Sequence, residues 1–386
     1  EKAGARRLRP EPTSRSVLTA PIKPGSMGGS YSQASYDKDR YTEPYMASQP
    51  PDAAKGKVIA VTGATGNGLG LKFAMTAAKL GAAKVILMNR ESERATKAVD
   101  AVRAVAPSDC VISSIDCDLT SLDSVRAAGP KLAAESGGLL DVLMLNSGIM
   151  ASPDGTTADG YNREAQVNNI SQMLLLKAAM PLLEAAADAR GEARVVQQSS
   201  AARWGEPPIV DAFFDKVPAG GLPAPLKGDA AGGMFGMGPA WQRYHQTKLA
   251  NSLSTMILHD KLQAKGSKVK AVCVAPGLAA TDLQATTHTT GNMKAWETNL
   301  IFMLAGQSAN DGALPMIHAC LMPGIESGSI FEPARFSGMN GLPAAVAIGG
   351  QFLPGKAKAD KHTIATPETR ASFWAMMEAA CGGPIV

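Results

Sequence analysis

Aromatic residues are scarce in this chain, at 5%, and its five cysteines include no CxxC pair. Cys110, Cys117, Cys273, Cys320 and Cys381 are too scattered for a zinc site or a disulfide framework, so no metal is expected and a reducing compartment fits best. No run approaches the roughly 18 apolar residues of a membrane-spanning helix, and Leu300 to Ala305 is far too short, which sets the expectation of a soluble or peripheral protein. Segregated charge is also missing. The 38 basic and 34 acidic residues are well mixed, whereas nucleic-acid readers gather basic side chains on one face or segment. Only Arg6, Arg7 and Arg9 cluster, and no nucleic-acid partner is expected. No internal repeat is evident, so function has to come from local patterns.

Residues 1 to 54 are rich in Pro, Ser, Tyr and Arg, poor in aliphatics, and show neither helical nor strand periodicity. They read as a low-complexity extension, a candidate for peripheral membrane or protein-complex association. The chain begins with Glu1 rather than Met, as happens when a transit peptide is removed. This sets the expectation of an organelle such as a plastid, with the cytoplasm as the alternative. Residues 55 to 386 alternate short β-branched runs with longer helical stretches, the pattern of βαβ units and a parallel sheet. Strands are predicted at Lys57 to Thr62, Lys84 to Met88, Val111 to Asp116, Val142 to Leu145, Arg194 to Gln198 and Val269 to Ala275. The fold class is therefore α/β, a doubly wound, Rossmann-like parallel sheet in a single domain. Residues 204 to 239 break the alternation with several prolines and a glycine-rich tail, and read as an inserted loop, a lid or contact surface.

The first strand runs into Thr62-Gly63-Ala64-Thr65-Gly66-Asn67-Gly68-Leu69-Gly70 and then an apolar helical stretch. Glycines at such a turn let the backbone approach a pyrophosphate, whose charge sits at the positive end of the helix. The second strand ends in Met88-Asn89-Arg90, with arginine where an NAD site usually carries an Asp or Glu. Guanidinium suits a 2′-phosphate, so Arg90 reads either as an NADP determinant or as a surface arginine at a sheet edge. Asp118, after the third strand, either accepts from an adenine amine or caps the next helix. Asn146-Ser147-Gly148 closes the fourth strand at the carboxyl edge, where cofactors bind in doubly wound sheets.

Tyr244-His245-Gln246-Thr247-Lys248 places a phenol and an ammonium four residues apart, on one face of a predicted helix. A nearby cation favours phenolate and brings tyrosine toward the range useful in proton transfer. Upstream, Arg194 to Ser200 is a strand ending in two hydroxyls, Ser199 and Ser200. Asn168 is a polar residue on a long helix. Each signal has a bland counterpart: a packed tyrosine beside a solvated lysine, serines that make a turn, an exposed asparagine.

In their order, glycine turn, Asn-Ser-Gly, helical Asn, Ser-Ser, Tyr-xxx-Lys and then Pro276-Gly277, these signals resemble the short-chain dehydrogenase/reductase family. The resemblance runs from about Lys55 to the carboxyl end and is closest to the retinol-dehydrogenase-like branch. It implies NADP as cofactor, held by Gly63, Gly66, Gly68, Gly70, Arg90, Asp118, Asn146, Gly148, Tyr244, Lys248, Pro276 and Gly277. It also implies that Ser200 orients a substrate oxygen and Tyr244 exchanges its proton. Lys248 then binds the nicotinamide ribose and lowers the tyrosine pKa, and Asn168 holds a relay water. The expected reaction is hydride transfer between nicotinamide and the carbonyl or alcohol of a bulky apolar substrate. Two features depart from the family: four residues rather than three separate Gly63 from Gly68, and the segment before Tyr244 is long. The first raises the alternative of a structural nucleotide-binding subunit in a larger assembly. The second is similar to light-dependent protochlorophyllide reductases, although those enzymes carry a cysteine near this helix and this chain does not.

Overall fold

In the computed structural model, consecutive residues of each central strand enter different cores. The model describes residues 38–204, 208–230, 238–283, 302–303, 305–346 and 365–386. Arg6, Arg7, Arg9, Pro207 and Gly232 to Met237 lie outside them. The strands are β1 (Val58–Thr62), β2 (Lys84–Asn89), β3 (Val111–Asp116), β4 (Val142–Leu145), β5 (Ala193–Gln198), β6 (Val269–Val274), β7 (Ile330–Arg335) and β8 (Asn340–Ala345). Ile59, Val61, Val85, Leu87, Val142 and Met144 pack on one face of the sheet. Ala60, Ile86, Met88, Leu143 and Leu145 pack on the other. This two-sided burial is why these strands read as continuous apolar runs.

The sheet order is β3-β2-β1-β4-β5-β6-β7-β8. All pairings are parallel except β7 with β8. Helices α2 (Leu69–Lys79) and α3 (Glu93–Arg103) cover one face, together with α8 (Ala309–Leu321). Helices α4 (Leu122–Ser136), α6 (Ser171–Arg190), α7 (Pro239–Ala264) and α9 (Pro367–Ala380) cover the other. A short helix α5 (Arg163–Ala165) and a π-helical turn (Gln166–Ile170) lead into α6. Strand order reverses between β1 and β4, so a crevice opens at the carboxyl ends of the strands there.

The six predicted strands are present to within a residue at each end. The edge hairpin β7–β8 was not predicted, because Pro333 and Pro343, which face each other across it, count against strand in a sequence pattern. An edge position tolerates them. The expected absence of a long apolar helix also needs correction: Arg163–Arg190 has the length and mean hydropathy, 1.3, of a spanning helix. Its apolar window is 72% buried inside this fold, which accounts for that composition as core packing.

Residues 208–230 of the inserted loop, expected as a lid or contact surface, are anchored by Phe213, Phe214, Leu222 and Leu226, which are buried. Phe214 meets Phe373 of α9 edge-on at 5.4 Å between ring centroids. The extension expected through residue 54 contains a helix, α1 (Thr42–Ala47), and is tied to α8. The buried Asp311 carboxylate accepts the backbone N–H groups of Arg40, Tyr41 and Thr42, at 2.8, 3.0 and 2.8 Å, and the Thr42 hydroxyl at 2.7 Å. Asp39 in turn accepts from Ser308 and Asn310. Asp311 in the first turn of α8 thus caps the start of α1, while Ser308 caps α8 itself. Tyr45 closes the contact, its hydroxyl 2.7 Å from His318 Nδ1. These polar partners are more than 260 residues apart in sequence, so no local periodicity announces them.

Replacing Asp311 leaves three N–H groups without their acceptor. Asp311→Ala is expected to lower unfolding free energy by about 2–4 kcal/mol, read in urea titrations, with Asp311→Asn costing less. An unchanged midpoint contradicts this cap.

Candidate active site

The carboxyl ends of β1, β2, β4, β5 and β6 surround a cavity of about 820 Å³, within the range of small-molecule and cofactor sites. Its floor is the glycine turn. Gly63 and Gly66 adopt left-handed backbone, with φ of 70° and 58°. Gly68 caps α2 in extended conformation, its N–H bonded to Thr65 O at 3.1 Å. Gly66 accommodates the additional residue of the turn. Gly63 and Gly70 answer to packing: a Cβ on either would lie 2.6 Å from Ser147 Oγ or Asn146 Nδ2, respectively. Gly63 and Gly68 line the cavity; Gly66 and Gly70 do not.

Arg90 lines the cavity beyond β2 and is exposed. Asp118 lines it too, and its Oδ1 accepts Thr120 N and Thr120 Oγ1 at 2.9 and 2.8 Å. That oxygen is used in a local turn ahead of α4, whose N-cap is Ser121. Gly277, at φ 66°, is required by the β7–β8 hairpin, because a Cβ there would collide with the backbone of Met339. Pro276 O accepts Gln307 Nε2 at 2.7 Å.

At the other end of the cavity stand Ser200, Tyr244 and Lys248. Ser200 stands close enough to the Tyr244 phenol to favour its ionised form. Ser199 is used elsewhere, its hydroxyl donating to Lys248 O at 2.7 Å. Lys248 Nζ donates to Gln198 O at 3.0 Å and lies 5.6 Å from the centroid of the Tyr244 ring. Helix α7 carries tyrosine and lysine on one face, as their spacing predicts, and both are nearly inaccessible, at 5% and 4% exposure. Trp241, one turn earlier, stacks edge-on against Tyr244 at 5.9 Å. Ile149, Met150, Trp204, Leu283 and Phe302 make this end of the cavity apolar.

Asn168 sits behind this group rather than in the lining. Its Oδ1 accepts Ile149 N at 2.8 Å; its Nδ2 donates to Ile149 O and to Thr247 Oγ1 at 2.9 and 3.0 Å. The π-helical turn frees its carbonyl, which accepts Asn251 Nδ2 at 3.0 Å. Gly148 separates it from the cavity, since a Cβ there would stand 3.3 Å from Asn168 Oδ1 and 3.4 Å from Lys248 Nζ.

The electrostatics differ from the sequence expectation. Burial raises the Tyr244 phenol above its ordinary value, against the lowering by Ser200, and the nearby Glu164 adds to the rise. Burial also pushes the Lys248 ammonium down to about 8, with Cys273 and Glu164 opposing. The expected lowering of the tyrosine by the lysine is not among the influences on the phenol; loss of solvent dominates and disfavours both charged forms. Glu164 itself is fully buried and raised to about 8 by burial, against Ser152, Arg243 and Lys248. His245 is pushed down to about 4 by burial and is neutral near pH 7.

Sequence reasoning missed the fully buried Arg243 beside the tyrosine. It donates to Leu226 O, Gly228 O and Ser152 O at 2.7–2.9 Å, and to Asp229 at 3.0 Å. The inserted segment is thereby fixed to the helix that carries Tyr244. An arginine adjacent to a paired Tyr and Lys was the available signal, but its partners come from three separate segments.

The short chain dehydrogenase family model matches residues 57–208. Polyprenol dehydrogenase from Mus musculus is 28% identical over 338 residues, covering 87% of this chain and 85% of that protein. Retinol dehydrogenase 12 from Homo sapiens is 29% identical over 283 residues, 72% of this chain and 78% of that protein. Oxidoreductase calI from Penicillium decumbens is 37% identical over 145 residues, but the match spans only 38% of this chain and 41% of that protein. Among solved structures, an uncharacterised protein from Mycobacterium paratuberculosis has a TM-score of 0.62 at 24% identity, over 88% of this chain and 98% of that one. L-sorbose reductase from Gluconobacter frateurii, crystallised with NADPH and L-sorbose, has a TM-score of 0.52 at 18% identity, over 72% and 95%. These last two likenesses are of fold. With the family model matched from the first strand through the fifth, residues 57–208 are those of a short chain dehydrogenase, and two curated dehydrogenases align with most of the chain.

Proposed function

We propose that the chain is an NADP(H)-dependent oxidoreductase acting on the carbonyl or alcohol group of a bulky, apolar small molecule. The observation that carries the proposal is the convergence of Ser200 and Tyr244 on one cavity, with Lys248 beside the tyrosine ring, at the cavity's apolar end. The residues present fit a dinucleotide. Gly68 presents the start of α2 to the cavity, and Gly148 leaves open the space in front of Asn168 and Lys248 that a side chain would fill. At the end of β2 the cavity lining offers Arg90, Ser92 and Arg94 and no carboxylate, which favours a 2′-phosphate over a free 2′-hydroxyl.

A bound nicotinamide supplies or accepts the hydride at the reacting carbon. In the direction of reduction, the Ser200 hydroxyl holds the substrate oxygen and the Tyr244 O–H donates its proton to that oxygen as charge develops there. The resulting phenolate is stabilised by the Lys248 ammonium behind it. The buried setting strengthens these interactions and keeps water from the reacting atoms. Met150, Trp204 and Trp241 suit an apolar substrate body, in keeping with relatives named for polyprenol and retinol. The tether from Arg243 to Leu226 and Gly228 holds the inserted segment next to that end of the site.

Two measurements test this reading. Tyr244→Phe is expected to lower turnover of an apolar aldehyde or alcohol by about 10²–10⁴-fold while nucleotide affinity is kept; unchanged turnover removes Tyr244 from the chemistry. In fluorescence titrations the protein is expected to prefer NADPH to NADH, and Arg90→Ala to weaken NADPH by about tenfold or more. Equal affinities in the wild type contradict the cofactor assignment.

A further inference from the structure

The residue added to the glycine turn has a specific partner. Gly66 turns the backbone into the left-handed region, and the N–H of the next residue, Asn67, points out of the turn to Asp282 Oδ2 at 3.1 Å. The same carboxylate oxygen accepts from Arg94 Nη2 at 2.8 Å. Asn67 also holds the strand-exit segment after β6 through its side chain, donating to Ala280 O at 3.3 Å. A Cβ on Gly66 would collide with both Arg94 Nη2 and Asp282 Oδ2, so a side chain there would have to displace this pair. A left-handed residue followed by a free N–H, with a guanidinium alongside, is a small anion-binding concavity. Here a carboxylate of the chain itself occupies it.

Arg94 also lines the cavity, on the same side as Arg90 and Ser92. Its guanidinium therefore has two claimants: Asp282 on one side, and any phosphate that enters beside Arg90 on the other. We infer that Asp282 is an internal competitor for the nucleotide's phosphate charge, setting cofactor affinity and phosphate selectivity by occupying Arg94 and the Asn67 N–H. The inference rests on the nucleotide site proposed above. Binding a 2′-phosphorylated nucleotide shifts Arg94 from Asp282 to the phosphate, and the carboxylate then faces a like charge. The pair is half-exposed, 62% for Arg94 and 51% for Asp282, so its strength is modest and exchange between claimants is easy. The device depends on the four-residue spacing between Gly63 and Gly68: that additional residue is what brings the Gly66 bend and the Asn67 N–H to Asp282.

Asp282→Asn removes the competing charge and keeps a side chain of the same shape. It is expected to bind NADPH and adenosine 2′,5′-bisphosphate about three- to tenfold more tightly than the wild type, with a smaller change for NADH. Arg94→Ala is expected to weaken both phosphorylated ligands, and Asp282→Asn to give no further gain in that background, since the contested guanidinium is gone. Melting temperatures within a degree or two of wild type confirm that each variant is folded. If Asp282→Asn leaves the affinities unchanged or weakens them, Asp282 is a support for the turn and the inference is wrong. If the wild type binds neither NADPH nor the bisphosphate, the nucleotide site itself fails, which is a different result.

Discussion

Asn146 donates through its side chain to the carbonyls of Thr62 and Gly63, at 2.9 and 3.2 Å, while its own N–H and that of Ser147 converge on the Thr62 hydroxyl, both at 3.0 Å. These bonds join the ends of β1 and β4, the two strands between which the sheet reverses its order. Four hydrogen bonds close the joint, so it is costly to open. The position of the glycine turn, and with it the start of α2, follows from this joint. Gly63 and Gly70 are then required because Ser147 and Asn146 lie where their Cβ atoms would be. The turn is thus held by residues of which Gly63, Asn146 and Ser147 also line the cavity.

A second constraint shapes the other end of the site. Helix α7 buries Tyr244, Thr247, Lys248, Asn251, Ser252, Ser254 and Thr255, an expensive set of polar groups to remove from water. Local and cross-helix hydrogen bonds offset the cost, as with Thr255 to Asn251 O and Asn251 to Asn168 O. The price appears in the ionisable groups. Tyr244 is driven toward its neutral form and Lys248 toward losing its proton, so Tyr244 rests as a neutral phenol rather than as phenolate.

The sequence reading found what depends on neighbours in the chain. Strands such as Val142–Leu145 are legible because both faces are apolar, and Tyr244 and Lys248 because four residues make one helical turn. It missed what depends on distant partners. Asp282 meets Arg94 across 188 residues, and Asp311 meets Thr42 across 269. Nor does the sequence show that Gly70 and Gly277 also make room for the protein's own side chains and backbone. Asn168 was legible as a polar residue in a helix, but not as one whose amide is spent on Ile149 and Thr247.

The central claim is that one crevice holds a dinucleotide along its full length, from Arg90 to Tyr244. A crystal structure grown with NADP⁺ tests it most directly. The account predicts the adenosine phosphate beside Arg90 and the nicotinamide against Tyr244 and Lys248, with the pyrophosphate over Gly68. Saturating cofactor that leaves this crevice without electron density, or that binds with its nicotinamide remote from Tyr244, contradicts it.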